Sequence, residues 1–302
     1  MQAMRKWRAA IVGLGNIGRF ALDALAEAPD FEIAGIVRRR PVRGEGIPES
    51  VAVVGDVAEL GDVDVALLCV PSRAVPETAE RYLAGGISTV DSFDIHGNEL
   101  VGLRRQLDGT AKAHGVTAVV AAGWDPGTDS VVRALLEAMA PRGITHTNFG
   151  PGVSMGHSTV VRALPGVADA ASVTVPVGAG VHRRLVYVEL EPGASLDDVR
   201  DAILADPYFK NDETHVIEVA SVRDVVDVGH GVRLERKGVS GRTHNQQFVF
   251  DMRINNPALT AQVMVAAARA ALRQRPGAYT LLEVPVIDML PGERDELVRR
   301  LV

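Results

Sequence analysis

This chain reads as an α/β protein: a doubly wound parallel sheet in its first part, then an α+β domain with a mostly antiparallel sheet. Three observations predict this. Strand and helix signals alternate through the first 120 residues, as they do where helices cover a parallel sheet. The apolar runs there are short and unbroken, as strands buried on both faces are. After about residue 143 come Val-rich segments, several of which alternate apolar and polar residues, the habit of half-exposed antiparallel strands.

Residues 9–12 form a short apolar strand that runs into Gly13-Leu14-Gly15-Asn16-Ile17-Gly18. Ile17, Phe20, Ala21, Ala24 and Leu25 then mark one face of a helix. Gly13 permits the tight turn, Gly15 lets a pyrophosphate approach the backbone, and Gly18 lets helix and strand pack closely. The helix N-terminus adds free N–H groups and the positive end of its dipole. The pattern predicts a Rossmann-like sheet that binds a dinucleotide. Phe31–Val37 is the second strand, and it ends in Arg38-Arg39-Arg40 where an NAD enzyme usually carries an acidic residue. Guanidinium groups pair with a 2′-phosphate through charged, often bidentate bonds, so NADP is expected rather than NAD.

Further strands are expected at 64–70, 87–91 and 116–122, with helices at 76–84 and 100–114. Ligands in such sheets sit at the carboxyl ends of the strands. In the second part, strands are expected at 172–177, 185–190, 215–222, 231–236 and 247–254, and one helix over Leu196–Ala205 with Ser195 as its N-cap. Pro257 precedes an Ala-rich helix over 259–272, expected to return to the first domain. The domains are therefore placed at 1–122 completed by 257–302, and at 123–256.

The 302 residues are 47% hydrophobic and 23% charged, with a net charge of −6, ample for a core. A mildly acidic chain with one local basic cluster is not expected to bind nucleic acid. The single cysteine, Cys69, excludes an intrachain disulfide and, inside an apolar run, reads as a structural thiol. The N-terminal residues lack the apolar stretch of a signal peptide, and no apolar run approaches the roughly 18–20 residues of a membrane span. A cytoplasmic location away from membranes is expected. The eight histidines are scattered, with no HExxH and no CxxC, so no metal site is expected.

Three segments carry candidate chemistry. Asp91-Ser92-Phe93-Asp94 and His96 follow one strand, and Gly123-Trp124-Asp125-Pro126-Gly127 follows the next. Asp94 and Asp125 together would suit an ammonium group, or proton transfer with an amine. Residues 148–158 read as a Gly-rich loop entering the second domain. The pattern Gly152-x-Ser154-x-Gly156 within it is shared with hydrolase nucleophile elbows, but an elbow needs a strand–turn–helix context, and Pro151-Gly152 argues for an ordinary loop.

GLGNIGR, LLCVPS, VDSFDIH, AGWDPG, FGPGVSMGHS, RALPGV and the late NNP occur in this order along nearly the whole chain. Together they resemble the meso-diaminopimelate dehydrogenase family. That resemblance implies a homodimer with a dinucleotide domain and a substrate and dimerisation domain. It implies NADP-dependent, reversible oxidative deamination at the D-centre of meso-2,6-diaminopimelate, giving L-2-amino-6-oxopimelate, ammonia and NADPH. Gly13 to Gly18, Arg38, Arg39, Cys69, Val70, Pro71, Ser72, Ser92 and Phe93 would surround the cofactor. Asp94 and Asp125, with Trp124 beside them, would hold and deprotonate the D-centre amine near Phe149, Met155 and Gly156. Thr174, Arg184 and His230 would bind the distal carboxylate, completed by Asn256. Some members carry Trp where this chain has Phe149 and Gln where it has Met155, which leaves room for simpler D-amino acids. Two other readings compete: another NADP-dependent two-domain reductase of amino-acid biosynthesis, and a non-catalytic NADPH sensor.

Overall fold

The alternating first part closes into one parallel sheet. The structure, a computed structural model, describes residues 5–225 and 229–302; the side chain of Met155 also lies outside the described part. The elements in chain order are β1 (Trp7–Val12), α1 (Asn16–Ala26), β2 (Phe31–Val37), β3 (Val53–Val54), β4 (Val65–Leu68), α2 (Val75–Ala84), β5 (Ser88–Asp91), α3 (Asn98–His114), β6 (Thr117–Val119) and α4 (Thr128–Met139). They continue as β7 (Arg142–Phe149), β8 (Gly152–Ser154), α5 (Met155–Arg162), β9 (Val167–Gly178), β10 (Val181–Leu190), α6 (Leu196–Ala205), β11 (Glu213–Glu218), β12 (Gly229–Ser240), β13 (Thr243–Asn255), α7 (Asn256–Ala271), β14 (Gly277–Tyr279) and α8 (Arg294–Leu301).

The chain divides into two units, residues 1–132 with 257–302, and residues 133–256. The division falls inside α4 rather than at 122/123, because the turn after β6 packs back on its own sheet. The first unit's sheet has the order β14-β6-β5-β4-β1-β2-β3, with every neighbouring pair parallel. Its strands alternate between two cores. Ala9 and Ile11 of β1 pack in one cluster with Leu22 and Leu25 of α1 and Met264 and Ala268 of α7. Ala10 and Val12 pack in the other with Tyr82 and Leu83 of α2 and Leu103 and Leu107 of α3. The Ala-rich helix returns to this unit, and its small side chains join the same core cluster as β1. It begins at Asn256, three residues before the expected start, because Pro257 fits a first turn, where its missing N–H costs nothing. Arg269 of α7, 3% exposed, donates to both carboxylate oxygens of Asp30 at 2.5 and 2.7 Å and to the Met289 carbonyl.

The second unit holds two sheets where one was expected: a four-stranded β11-β10-β9-β8 and a three-stranded β13-β12-β7. All pairs are antiparallel except β10 with β11. Val186 and Val188 of β10 pack with Val199 and Ile203 of α6 and with Phe209. Ser195 caps α6 through a bond from the Asp198 amide (3.4 Å). Residues 148–158 are not a loop. Asn148 and Phe149 end β7, 152–154 form β8, and α5 follows at once. The expected strand 215–222 lies instead at Glu213–Glu218, where its parallel register with β10 ends at Val188. No helix among the described residues is long and apolar enough to cross a membrane.

Candidate active site

In the first unit the site residues follow the carboxyl ends of β1, β2, β4, β5 and β6. Gly13 adopts φ 93°, and a Cβ there would lie 2.5 Å from the Cys69 carbonyl oxygen. A Cβ on Gly18 would lie 2.2 Å from the Gly13 oxygen, whereas one on Gly15 would meet nothing within 4 Å. Gly13 and Gly18 thus close the turn, and Gly15 opens it outward. Gly15 is also the N-cap of α1 and supplies no side-chain cap, so the first-turn amides need an acceptor from elsewhere. Leu14 and Ile17 are half-buried and Asn16 is exposed beside this opening. These features fit a pyrophosphate. At the end of β2, the Arg38 amide is fixed on the Val54 carbonyl at 3.0 Å. Arg38 is half-buried as a residue, its guanidinium donates to the Val42 carbonyl at 3.1 Å in an exposed position, and Arg39 is exposed.

Cys69 and Val70 follow β4, half-buried, and Pro71 is exposed. Although the residue as a whole is half-buried, desolvation pushes the Cys69 thiol up to about 12, so it stays protonated at neutral pH. Ser72 opens a short 3-10 turn. Its hydroxyl donates to Asp94 Oδ1 at 2.5 Å, and the Asp94 amide donates back to Ser72 Oγ at 3.3 Å. Asp94 itself is exposed, Ser92 half-buried and Phe93 buried.

Asp91, which the sequence placed in a candidate segment without a role of its own, ties this region together. It is fully buried. Its Oδ1 accepts from the Phe93 and Ala121 amides, both at 3.0 Å, and its carbonyl accepts from the Ala122 amide at 2.7 Å. The turn carrying Asp94 is thereby fastened to the segment leading to Asp125. Desolvation pushes the Asp91 carboxyl up to about 6, against the two amide bonds that lower it. Trp124 is buried and Asp125 half-buried. Their turn closes with the Asp129 amide on the Trp124 carbonyl (2.9 Å) and the Thr128 amide on that of Gly123 (3.2 Å). Gly127 adopts φ 142°, and a Cβ there would sit 1.8 Å from the Gly123 oxygen.

In the second unit Arg184 is the centre of a polar group. It lies on β10 opposite Thr174 of β9. Its Nε donates to Asp212 Oδ2 at 2.6 Å and its Nη1 to Thr174 Oγ1. Three histidines lie within reach of its charge. His182 Nε2 accepts from the Phe149 amide at 2.8 Å, and the two rings lie 5.7 Å apart. His157 accepts from Ser154 Oγ at Nδ1 (2.8 Å), because its Nε2 donates to the Tyr208 carbonyl (3.0 Å). His230, buried, bonds the Gly231 carbonyl through Nδ1 at 3.0 Å. Burial lowers the pKa of all three and the Arg184 charge lowers it further, so each is neutral at pH 7. Gly156 is exposed in the first turn of α5, and Asn256 is half-buried at the start of α7. Met155 is the first residue of α5, and its side chain lies outside the described part.

Ser154 does stand between a strand and a helix, contrary to the loop expectation. Its hydroxyl is spent on a histidine one helical turn ahead, whose other nitrogen faces a carbonyl, and among the described residues no carboxylate bonds that ring. Among the described residues no three His, Cys, Asp or Glu side chains group as metal ligands. His182 and Asp212 carried no assigned role in the sequence, and Asp91 and His157 stood in candidate segments without one. His182 was within reach, since it lies two residues before Arg184 on a strand, hence on the same face. Asp212 carries no such signal; it meets Arg184 only because β11 pairs with β10.

A parallel sheet of order 3-2-1-4-5-6 with an open glycine turn at its first crossover, and carboxylates at neighbouring strand ends, defines a dinucleotide-dependent oxidoreductase with an added α+β unit. Two family models match accordingly: an oxidoreductase family with an NAD-binding Rossmann fold over residues 7–90, and the diaminopimelic acid dehydrogenase C-terminal domain over 123–183. Meso-diaminopimelate D-dehydrogenase of Bacteroides fragilis is 59% identical over 300 residues, 99% of this chain and 100% of that protein. The solved diaminopimelate dehydrogenase of Corynebacterium glutamicum in complex with DAP superposes with a TM-score of 0.86 at 31% identity, covering 99% of this chain and 100% of that one. An engineered D-amino acid dehydrogenase bound to NADP+ gives 0.81 at 30% identity, over 98% of this chain and 100% of that one. The chain belongs to the meso-diaminopimelate D-dehydrogenase family.

Proposed function

We propose that this chain catalyses the NADP-dependent, reversible oxidative deamination of meso-2,6-diaminopimelate at its D-centre. The products are L-2-amino-6-oxopimelate, ammonia and NADPH. The observation that carries the reading is the 59% identity to the B. fragilis enzyme, which covers 99% of this chain and so both units. Gly13 to Gly18 would hold the pyrophosphate, Arg38 and Arg39 the 2′-phosphate, and residues 69–72 with Ser92 and Phe93 the rest of the cofactor. The fit rests on the open space at Gly15 and the basic end of β2. When bound, NADP+ supplies the acceptor for the hydride.

The remaining work falls to side chains. The D-carbon can release hydride only when its amine is neutral, because an iminium must form. A carboxylate holds the ammonium but also raises its pKa, so it must take the proton or pass it to water. Asp94 and Asp125 are assigned this task, with Ser72 fixing Asp94. Water then adds to the iminium carbon and ammonia leaves. Trp124, Phe149, Met155 and Gly156 are assigned to the reacting end, and Thr174, Arg184, His230 and Asn256 to the distal carboxylate. Phe149 and Met155 leave a route to shorter D-amino acids.

The reading includes a homodimer in the cytoplasm. Phe248, Phe250, Met252 and Ile254, on one face of the edge strand β13, remain half-buried, and such a face suits burial against a second copy. The lone cysteine and the nucleotide cofactor support the compartment. The test is ammonium-dependent NADPH oxidation with the oxo product. A plain reductase needs no ammonium, and a sensor turns nothing over.

A further inference from the structure

Arg184 is not simply a cation on a strand. Asp212 occupies the turn before β11, where the Thr214 hydroxyl donates back to its carbonyl at 3.1 Å. From there it grips the Arg184 Nε edge, and both side chains are shielded, 14% and 25% exposed. Thr174 holds Nη1. The guanidinium is therefore locked in one plane, and the N–H bonds at its outer end have no partner among the described residues. Asp212 Oδ1 likewise has none there.

The charges in this group cancel. Arg184 contributes one positive charge, Asp212 one negative, and the three imidazoles are neutral. A site for a bare carboxylate would gain by leaving Arg184 unpaired, since an anion on its Nε competes for its charge. A site for an amino-acid end, with an ammonium beside its carboxylate, gains from an anion beside the cation.

We propose that Asp212 is a specificity-determining residue: its Oδ2 holds Arg184 end-on for the distal carboxylate, and its Oδ1 accepts from the distal L-centre ammonium. The pair then recognises a zwitterion rather than an acid. This inference rests on the assignment of Arg184 to the distal carboxylate.

The experiment compares meso-diaminopimelate with D-2-aminopimelate, which keeps the reacting D-centre and the distal carboxylate but has hydrogen in place of the distal amine. Wild type should favour meso-diaminopimelate by roughly 10- to 100-fold in kcat/KM, the worth of one charged hydrogen bond. In Asp212→Asn, which keeps size and an acceptor for Nε, that ratio should fall by about 10-fold or more, chiefly through the KM of meso-diaminopimelate. Equal use of the two substrates by wild type, a measurement that needs no variant to fold, would overturn the proposal. So would a parallel loss for both in Asp212→Asn. Arg184→Ala separates the two levels. It should harm both pimelates far more than D-alanine. If D-alanine falls in parallel, the underlying assignment of Arg184 is wrong. If Arg184→Ala behaves as expected while the Asp212→Asn ratio is unchanged, only the role of Asp212 fails.

Discussion

Arg38 and Arg39 bring two guanidinium groups to the end of β2, where an acidic residue would turn a 2′-phosphate away. Replacing both by Ala should weaken NADP+ by about 2–4 kcal/mol, the worth of two charged contacts, and leave NAD+ little changed. Equal losses for both cofactors in a titration would show that they do not read the phosphate. Asp94 and Asp125 make a different prediction, since each is assigned to the reacting amine and not to the cofactor. Asp94→Asn or Asp125→Asn should lower kcat far more than it weakens NADP+ binding; near-normal turnover in both variants would remove them from the mechanism. These residues were legible in the sequence because their positions follow from strand ends, and strand ends show as a break in an apolar run. Asp91 was legible as a member of the segment that carries Asp94, but its role was not. Its neighbours Asp94 and Asp125 end in the same kind of turn, and only the ladder between β5 and β6 reveals that one carboxylate clamps both segments.

The clamp has a cost at the scale of the elements it joins. The carboxyl of Asp91 is raised from 3.8 to about 6 by burial, and its Oδ2 has no hydrogen-bond partner among the described residues. A raised folded-state pKa means that this group's contribution to stability is complete below about pH 4 and is lost as pH rises through about 6. The loss is on the order of 3 kcal/mol. Asp91→Asn, which keeps an acceptor for the Phe93 and Ala121 amides, should flatten that part of the pH profile in urea unfolding; an unchanged profile would mean that Asp91 does not titrate there. The Arg269–Asp30 pair binds α7 to the segment before β2, and Arg269→Ala should destabilise the protein by about 3–5 kcal/mol, because it leaves Asp30 without its counter-ion. A shift in urea midpoint corresponding to under about 1 kcal/mol would contradict this. Helix α7 itself could be read from its alanines, but β7, β8 and α5 could not. The glycines and prolines of residues 148–158 look like loop residues, and it is pairing with β9 and β12 that makes them strands.

Across the whole molecule the same contrast holds. The first unit could be drawn from the sequence because its logic is local: strand, turn, helix, and ligand residues just past each strand. The second unit assembles its polar centre from β9, β10, the turn before β11, β12 and α5, so Thr174, Arg184, Asp212 and His230 come together only through sheet register. Family resemblance, not residue pattern, named Thr174, Arg184 and His230, and nothing in the sequence pointed to Asp212. The central claim concerns the molecule as a catalyst, that with NADP+ it oxidises the D-configured carbon of meso-diaminopimelate and releases ammonia. The direct measurement is NADP+ reduction with the meso isomer against the LL isomer, with ammonia determined in the same reactions. The account predicts one ammonia per NADPH with the meso compound and no turnover with LL, which has no D-centre. Equal turnover of LL, or NADPH formed without ammonia, would contradict it.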